Sequence, residues 1–216
     1  MVDIDKVMKI LSRSRPIFHS EADLQHSLAW QIHCQLPHVS IRLELPFQQG
    51  GRLFHLDIWA TQGDKALAVE LKYKTQKLSV KIDSEQFTLK YHSAQDVNRY
   101  KFIKDIWRLE QIINQRMNAF GYAVLVTNDS NYWIKSEDKQ PIDADFRIDE
   151  DRLLQGILKW GVRASAGTKR GHEKQIELTK RYAVHWKDYH EFPGQCHGKF
   201  RYVAIQVGKK PSASCS

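Results

Sequence analysis

Two short segments place charge inside apolar runs. Leu56-Asp57-Ile58 sets a carboxylate in the middle of one run, and twelve residues further on Glu70-Leu71-Lys72 sets an acid and a lysine in the next. The acid-x-lysine spacing is uninformative by itself, because Glu137-Asp138-Lys139 repeats it in the polar run SEDKQP, where a solvated loop accounts for it. Glu70 and Lys72 differ because they interrupt the run ALAVELK. Its alternation puts Leu67, Val69 and Leu71 on one face and Ala66, Ala68, Glu70 and Lys72 on the other. In the earlier run the same parity groups Phe54, Leu56 and Ile58 on one side and His55, Asp57 and Trp59 on the other. If the two runs are neighbouring strands, Asp57 and Glu70 converge. Paired carboxylates repel and are costly to bury, and a hard divalent cation with oxygen ligands is the usual compensation.

Glu21 is a third acid. It lies three and seven residues before Leu24 and Leu28, which places it on the core side of a helix. A glutamate in a first helical turn also complements the helix dipole, so a metal-supporting role and a capping role both stand for it.

The elements that must position these residues follow from spacing. Ser20 with Asp23 three residues on has the form of a capping box, and Leu24, Leu28, Ile32 and Leu36 predict a helix over residues 21–36. Residues 39–45 alternate as a first strand until Pro46 interrupts. Residues 53–60 and 66–73 form two more, paired antiparallel across a short polar loop. Alternation at 78–82 and 87–91 predicts an inserted hairpin whose Lys74, Lys77, Lys81 and Lys90 face water or a phosphate backbone. An amphipathic helix over about 95–119 then feeds the apolar run YAVLV, a crossover connection. A helix capped by Asp149 is expected through Trp160, followed by a mobile basic loop after Gly161 and strands near 176–186 and 200–207 around Pro193-Gly194. The expected fold class is α/β, a mixed β-sheet flanked by helices, with a C-terminal helix and β-hairpin added to an α-β-β-β-α-β core. One domain over 1–207 is expected, with its core at about 20–128, a basic elaboration at about 149–207 and a flexible tail over 208–216.

Glu21 on a leading helix, Asp57 on a strand and Glu70-Leu71-Lys72 on the next together resemble the PD-(D/E)xK nuclease superfamily, which has the restriction-endonuclease-like core order. The resemblance spans roughly residues 21–128, and Leu56 stands where the motif's name places a proline. Gln95 and Tyr100 resemble the QxxxY element of RecB-like nucleases with one residue too many between them. The resemblance implies that Asp57 and Glu70, with the backbone carbonyl of Leu71, hold Mg²⁺ or Mn²⁺, with Glu21 in support directly or through water. It implies that Lys72 positions or deprotonates the attacking water and stabilises the charge that develops on the phosphate. The expected activity is a metal-dependent nuclease hydrolysing phosphodiester bonds in DNA, with RNA as an alternative substrate and a homodimer as a fitting state for double-strand cleavage. A non-catalytic DNA-binding module on the same fold and a protein-interaction domain are the alternatives.

Composition agrees with an anionic partner. The net charge is +8, and residues 159–216 hold 12 Lys/Arg against four acids, so the excess is entirely C-terminal. Lys169, Arg170 and His172, in a glycine-bearing loop, are candidate phosphate contacts beside Lys74, with ordinary solvated charge as the alternative. Arg99 and Lys101 read as solvent-facing helix residues, and Trp160, Tyr182 and Trp186 as core. Cys34, Cys196 and Cys215 show no CxxC pairing, the ten histidines lack an HExxH pattern, and no GxxxxGK[ST], GxGxxG or GxSxG motif occurs. No apolar run approaches the roughly 20 residues of a membrane span, and the N-terminal segment lacks a signal-peptide pattern, so a cytoplasmic protein without membrane contact is expected.

Overall fold

The structure is a computed structural model that describes residues 2–49 and 51–210. It is a mixed α/β architecture around a six-stranded sheet in the order β1-β2-β3-β6-β10-β9. Helices α1 (Ile4–Ser14) and α2 (Glu21–Gln35) cover one face. Strands β1 (Ser40–Gln49), β2 (Arg52–Gln62) and β3 (Lys65–Lys74) form an antiparallel meander. A separate hairpin, β4 (Leu78–Ile82) and β5 (Glu85–Leu89), leads to α3 (Gln95–Asn114), which crosses the other face. Strand β6 (Ala119–Thr127) then runs parallel to β3.

Each helix is placed by its apolar stripe. Leu24, Leu28 and Ile32 of α2 and Val7, Met8 and Leu11 of α1 pack on Ile58, Val69, Leu71 and Val124. Ile103, Ile106 and Leu109 of α3 pack on Ala68, Ala123, Leu125 and Val203. Strand β6 lies between the two layers and is buried throughout. Helix α1 is not among the expected elements, although Ile4, Val7, Met8 and Leu11 have helical spacing behind Asp3, whose side chain accepts from the N–H groups of Asp5 and Lys6. At α2 the box is half as expected: Ser20 Oγ accepts from Asp23 N–H, but the Asp23 carboxylate turns to the His19 N–H and to Arg15.

Several expected boundaries are corrected. Strand β1 continues through Pro46, which pairs with His55, because an edge strand tolerates a missing N–H on its outer side. Helix α3 stops at Asn114, short of residue 119, and Asn118 adopts a left-handed φ of 59° before β6. No helix forms over residues 149–160. That stretch holds β7 (Leu153–Leu158), while Asp149 pairs with Arg147 at 2.7 Å rather than capping. Leu154 and Leu158, four apart, satisfy a helix and a strand alike, and Gly156 at φ 66° excludes the helix. The only α-helix in the C-terminal part of the described residues is the four-residue α4 (Ala166–Lys169), inside the expected basic loop. The expected strand at 176–186 is two: β8 (Ile176–Ala183), which pairs with β7, and β9 (Trp186–Glu191), which joins the main sheet beside β10 (Lys199–Val207). Of the expected tail, residues 211–216 lie outside the described residues. No helix of the described residues is long and apolar enough to cross a membrane.

Close contact between α3 and the sheet depends on small residues. A Cβ added at Gly121 would meet the Ala68 carbonyl oxygen at 2.7 Å and Leu109 Cδ2 at 3.2 Å. Gly121→Val is therefore expected to destabilise the protein by about 1–3 kcal/mol through overpacking. Urea unfolding followed by circular dichroism checks this, and an unchanged midpoint would show that β3 and α3 approach Gly121 less closely than described.

Candidate active site

Strand β3 presents Glu70 and Lys72 on its α3 face, with Ala66 and Ala68, as the alternation predicts. Asp57 reaches them by a route that alternation does not give. Phe54 and Leu56 join the α3-side cluster, whereas Ile58 joins the opposite one, so Leu56 and Ile58 do not share a face as expected. The β2–β3 pairing runs from Gln62/Lys65 to Ile58/Val69 and stops there. On the other side of β2, Glu44 takes a left-handed φ of 51° between the paired positions Leu43 and Leu45. The meander is thus distorted at Asp57, and the Asp57 carboxylate occupies the opening, where Oδ2 accepts the Leu71 N–H at 2.5 Å.

Helix α2 closes the other side. Glu21 Oε2 accepts from the Tyr73 N–H at 2.8 Å and from Lys74 Nζ at 2.9 Å, which pins the start of α2 to the end of β3. One turn on, the buried Gln25 donates through Nε2 to the Asp57 carbonyl at 2.8 Å and to Glu44 Oε1 at 2.7 Å. From the opposite face α3 supplies Asp105 and Arg108. Lys72 Nζ lies 2.7 Å from Asp105 Oδ2 and donates to the Leu71 carbonyl at 2.9 Å. Arg108 Nη1 donates to Asp105 Oδ1 at 3.0 Å and approaches Glu70 Oε1 only to 3.9 Å. Glu70 Oε1 is therefore a buried oxygen without a hydrogen bond among the described residues.

This arrangement separates the carboxylates electrostatically. Burial pushes Asp57 up to about 6 against the pull of Lys72 and the Leu71 N–H, with Asp105 and Glu21 adding to the rise. Glu70 is pushed well above the usual carboxylate range by burial, then by Asp105 and Asp57. Burial would raise Glu21 too, but Lys74 and Lys72 together outweigh it and hold it below its ordinary value. Burial works against the charge on Lys72, and Asp105, then Glu21, more than reverse that. These neighbours favour the ammonium form of Lys72.

The donor chemistry fits a hard divalent cation. Asp57, Glu70 and the Leu71 carbonyl are oxygen donors of the kind such a cation takes, Glu70 Oε1 is unsatisfied among the described residues, and Glu21 is tied to Tyr73 and Lys74 beside them. A different grouping, Glu150, Asp151 and His185, brings three ligand atoms within 4.8 Å of one another. There Glu150 already accepts from the Trp186 N–H and from Arg201 at 3.0 Å each, so Arg201 supplies the positive charge.

The structure thus gathers Glu21, Asp57, Glu70, Leu71 and Lys72, with Lys74 on Glu21, and it places Lys169, Arg170 and His172 elsewhere. Lys74 is ion-paired to Glu21 at 2.9 Å and is mostly buried. His172 is half-buried, its ring 5.4 Å from that of Tyr100 and its carbonyl accepting from Trp160 Nε1, and burial together with Lys101 and Lys104 holds its pKa down. Its ring and carbonyl thus both take part in packing around Tyr100 and Trp160. Lys169 and Arg170 close α4, and neither bonds to the acidic cluster among the described residues. Arg99 is not solvent-facing but buried, 2.6 Å from Asp143. Gln95 bonds to Tyr91 and Asp129, and Tyr100 to the Lys174 carbonyl, so neither enters the site. Trp160, Tyr182 and Trp186 are core, as expected.

Sequence reasoning missed Gln25, Asp105 and Arg108. A usable signal existed for two of them: Gln25 follows Glu21 by four on the buried stripe of α2, and Asp105 lies three after Phe102 and four before Leu109 on that of α3. Comparison with protein-family models, curated proteins and solved structures finds no match to this chain.

The raised Asp57 carboxyl sets a pH dependence. Between about pH 4 and 6 the folded state holds a proton that the unfolded chain releases, so without divalent cations stability falls as pH rises through that window, by about 3 kcal/mol for a shift from 3.8 to about 6. Asp57→Asn keeps an acceptor for Leu71 and removes the charge. It is expected to stabilise the protein by about 1–3 kcal/mol at pH 7.5 in EDTA and by little at pH 4. Urea titrations at the two pH values check this, and a loss of stability at pH 7.5 would contradict it.

Proposed function

We propose that this chain is a divalent-cation-dependent nuclease of restriction-endonuclease-like fold that hydrolyses phosphodiester bonds in DNA. The order of α2, β1, β2, β3, α3 and β6 supports the fold assignment. The observation that carries the activity is the unsatisfied, buried Glu70 Oε1 across the parted strands from Asp57, with the Lys72 ammonium on the same face. A structural acid in such a position would find a donor; an acid that binds a cation keeps an oxygen free.

In this reading Asp57, Glu70 and the Leu71 carbonyl hold Mg²⁺ or Mn²⁺, and Glu21 supports them. Such an ion, when bound, lowers the pKa of water and polarises a phosphate oxygen. The Leu71 N–H fixes the Asp57 carboxylate, and Gln25 fixes the backbone that carries it. Lys72 donates to the charge that builds on the phosphate in the transition state, and Asp105 keeps its ammonium charged and aimed. Of the roles expected for Lys72, positioning the water and stabilising charge fit its ion pair with Asp105. The exposed Arg170, with Lys169, serves as a backbone grip on DNA outside the site.

Cleavage of supercoiled and linear DNA in Mg²⁺, Mn²⁺ or EDTA tests the reading. Cleavage is expected only with the cation, with Lys72→Ala, Asp57→Ala and Glu70→Gln each reducing it by about 100-fold or more. Asp105→Asn is expected to lower kcat by about tenfold while cation affinity, measured by calorimetry, stays within a few-fold. Salt-sensitive DNA binding without cleavage by the wild type would instead establish a non-catalytic binding module, and absence of both would favour a protein-interaction domain.

A further inference from the structure

A groove of about 360 Å³ lies between the start of α2, the end of β3 and the β4–β5 hairpin, and it shares Glu21 with the acidic site. Its volume is in the range of small-ligand sites and admits one nucleotide, not a duplex. Its charges are distinguishable. Lys74 is neutralised by Glu21 at 2.9 Å, whereas Lys90 is exposed and in no ion pair among the described residues. Lys90 is therefore the cation this groove offers to an anion.

A second donor is fixed beside it. The Thr75 N–H donates to His92 Nδ1 at 3.0 Å, which makes Nδ1 an acceptor and leaves the ring proton on Nε2. Burial, with Lys74 adding to it, holds the His92 pKa below its ordinary value, in keeping with this neutral tautomer. Thr75 Oγ1 donates to the Lys90 carbonyl at 2.7 Å, so the backbone carrying Lys90 is tied to the same residue that orients His92. A fixed N–H next to an unpaired ammonium is a phosphate-binding pair. On the opposite wall the His19 ring lies flat against Phe87, with centroids 4.3 Å apart and planes 14° from parallel, and Nε2 is held by Glu85 at 2.8 Å. Its side chain is 46% exposed, which leaves a held aromatic surface of the kind on which bases stack.

We propose that this groove binds one unpaired nucleotide of the substrate strand, with its phosphate on Lys90 and His92 and its base against His19. A strand with its scissile phosphate at Asp57 and Glu70 passes Glu21 into the groove, so the preferred DNA is single-stranded or frayed beside the cut. The cleavage part rests on the nuclease reading; the nucleotide binding does not.

The test is titration of the full-length protein in EDTA with thymidine 5′-monophosphate, followed by calorimetry, for the wild type, Lys90→Glu, His92→Ala and the control Lys101→Glu, an exposed lysine of α3. Binding by the wild type is expected to weaken at least tenfold in Lys90→Glu and several-fold in His92→Ala, and to be unchanged in Lys101→Glu. Lys90→Glu is a surface change, so it keeps the test intact should His92→Ala fail to fold. In Mg²⁺, the wild type is expected to cut a single-stranded oligonucleotide faster than its duplex, with that preference reduced in Lys90→Glu. Undetectable binding by the wild type, undiminished binding in Lys90→Glu, an equal loss in Lys101→Glu, or inorganic phosphate binding as tightly as the nucleotide would each overturn the proposal. Lys90-dependent nucleotide binding in a protein that never cuts DNA sinks the nuclease reading and keeps the groove. Lys72-dependent cutting with an inert Lys90→Glu does the reverse.

Discussion

Holding Asp57 and Glu70 at the point where β2 and β3 part is the constraint on which the surrounding structure depends. Two carboxylates there repel each other and have lost most of their water, and every nearby element contributes something against that cost. The backbone contributes the Leu71 N–H, α2 contributes Gln25, and α3 contributes Arg108 together with the acid that keeps Lys72 charged. The compensation is incomplete, since Glu70 Oε1 has no donor among the described residues and both acids are pushed upward. The Arg99–Asp143 pair also leaves one buried atom unsatisfied, Arg99 Nε, but there the two groups are of opposite charge and 2.6 Å apart.

The α/β scaffold makes this arrangement reachable because α3 lies close to the sheet. Ala66, Ala68, Ala119 and Ala123 line its face of β3 and β6, and Gly121 brings β6 under Leu109. With larger residues the helix would stand off, and the Asp105 carboxylate would not meet Lys72 at 2.7 Å. The apolar fit of one helix thus sets the charge state of a lysine two residues beyond the acid it serves.

The same helix anchors the C-terminal elaboration. Glu110, buried and five residues after Asp105, accepts from the N–H groups of Thr179 and Lys180 and from the Tyr182 hydroxyl, which fixes β8 against α3. Lys101 and Lys104 of α3 lie near His172 in the same region. The basic elaboration is therefore coupled to the helix that positions Lys72, rather than appended to it.

Local period and residue type were enough to read the meander, the crossover of α3 into a buried β6, and the grouping of Glu70 with Lys72, because all of these follow from spacing along one segment. Spacing misled where two periods coincide, as at Leu154 and Leu158, or where pairing breaks, as at Asp57, whose neighbours Leu56 and Ile58 end on opposite faces. Asp105 shows the deeper limit. Its place on an apolar stripe was visible, but its partner lies 33 residues away on another element, and only the packing of α3 on Ala68 and Gly121 brings the two together. The sequence by itself determined which groups are present and which faces they occupy. The tertiary structure decided which of them share a low-dielectric space, because Coulomb interactions between buried groups depend on distances that chain order does not contain.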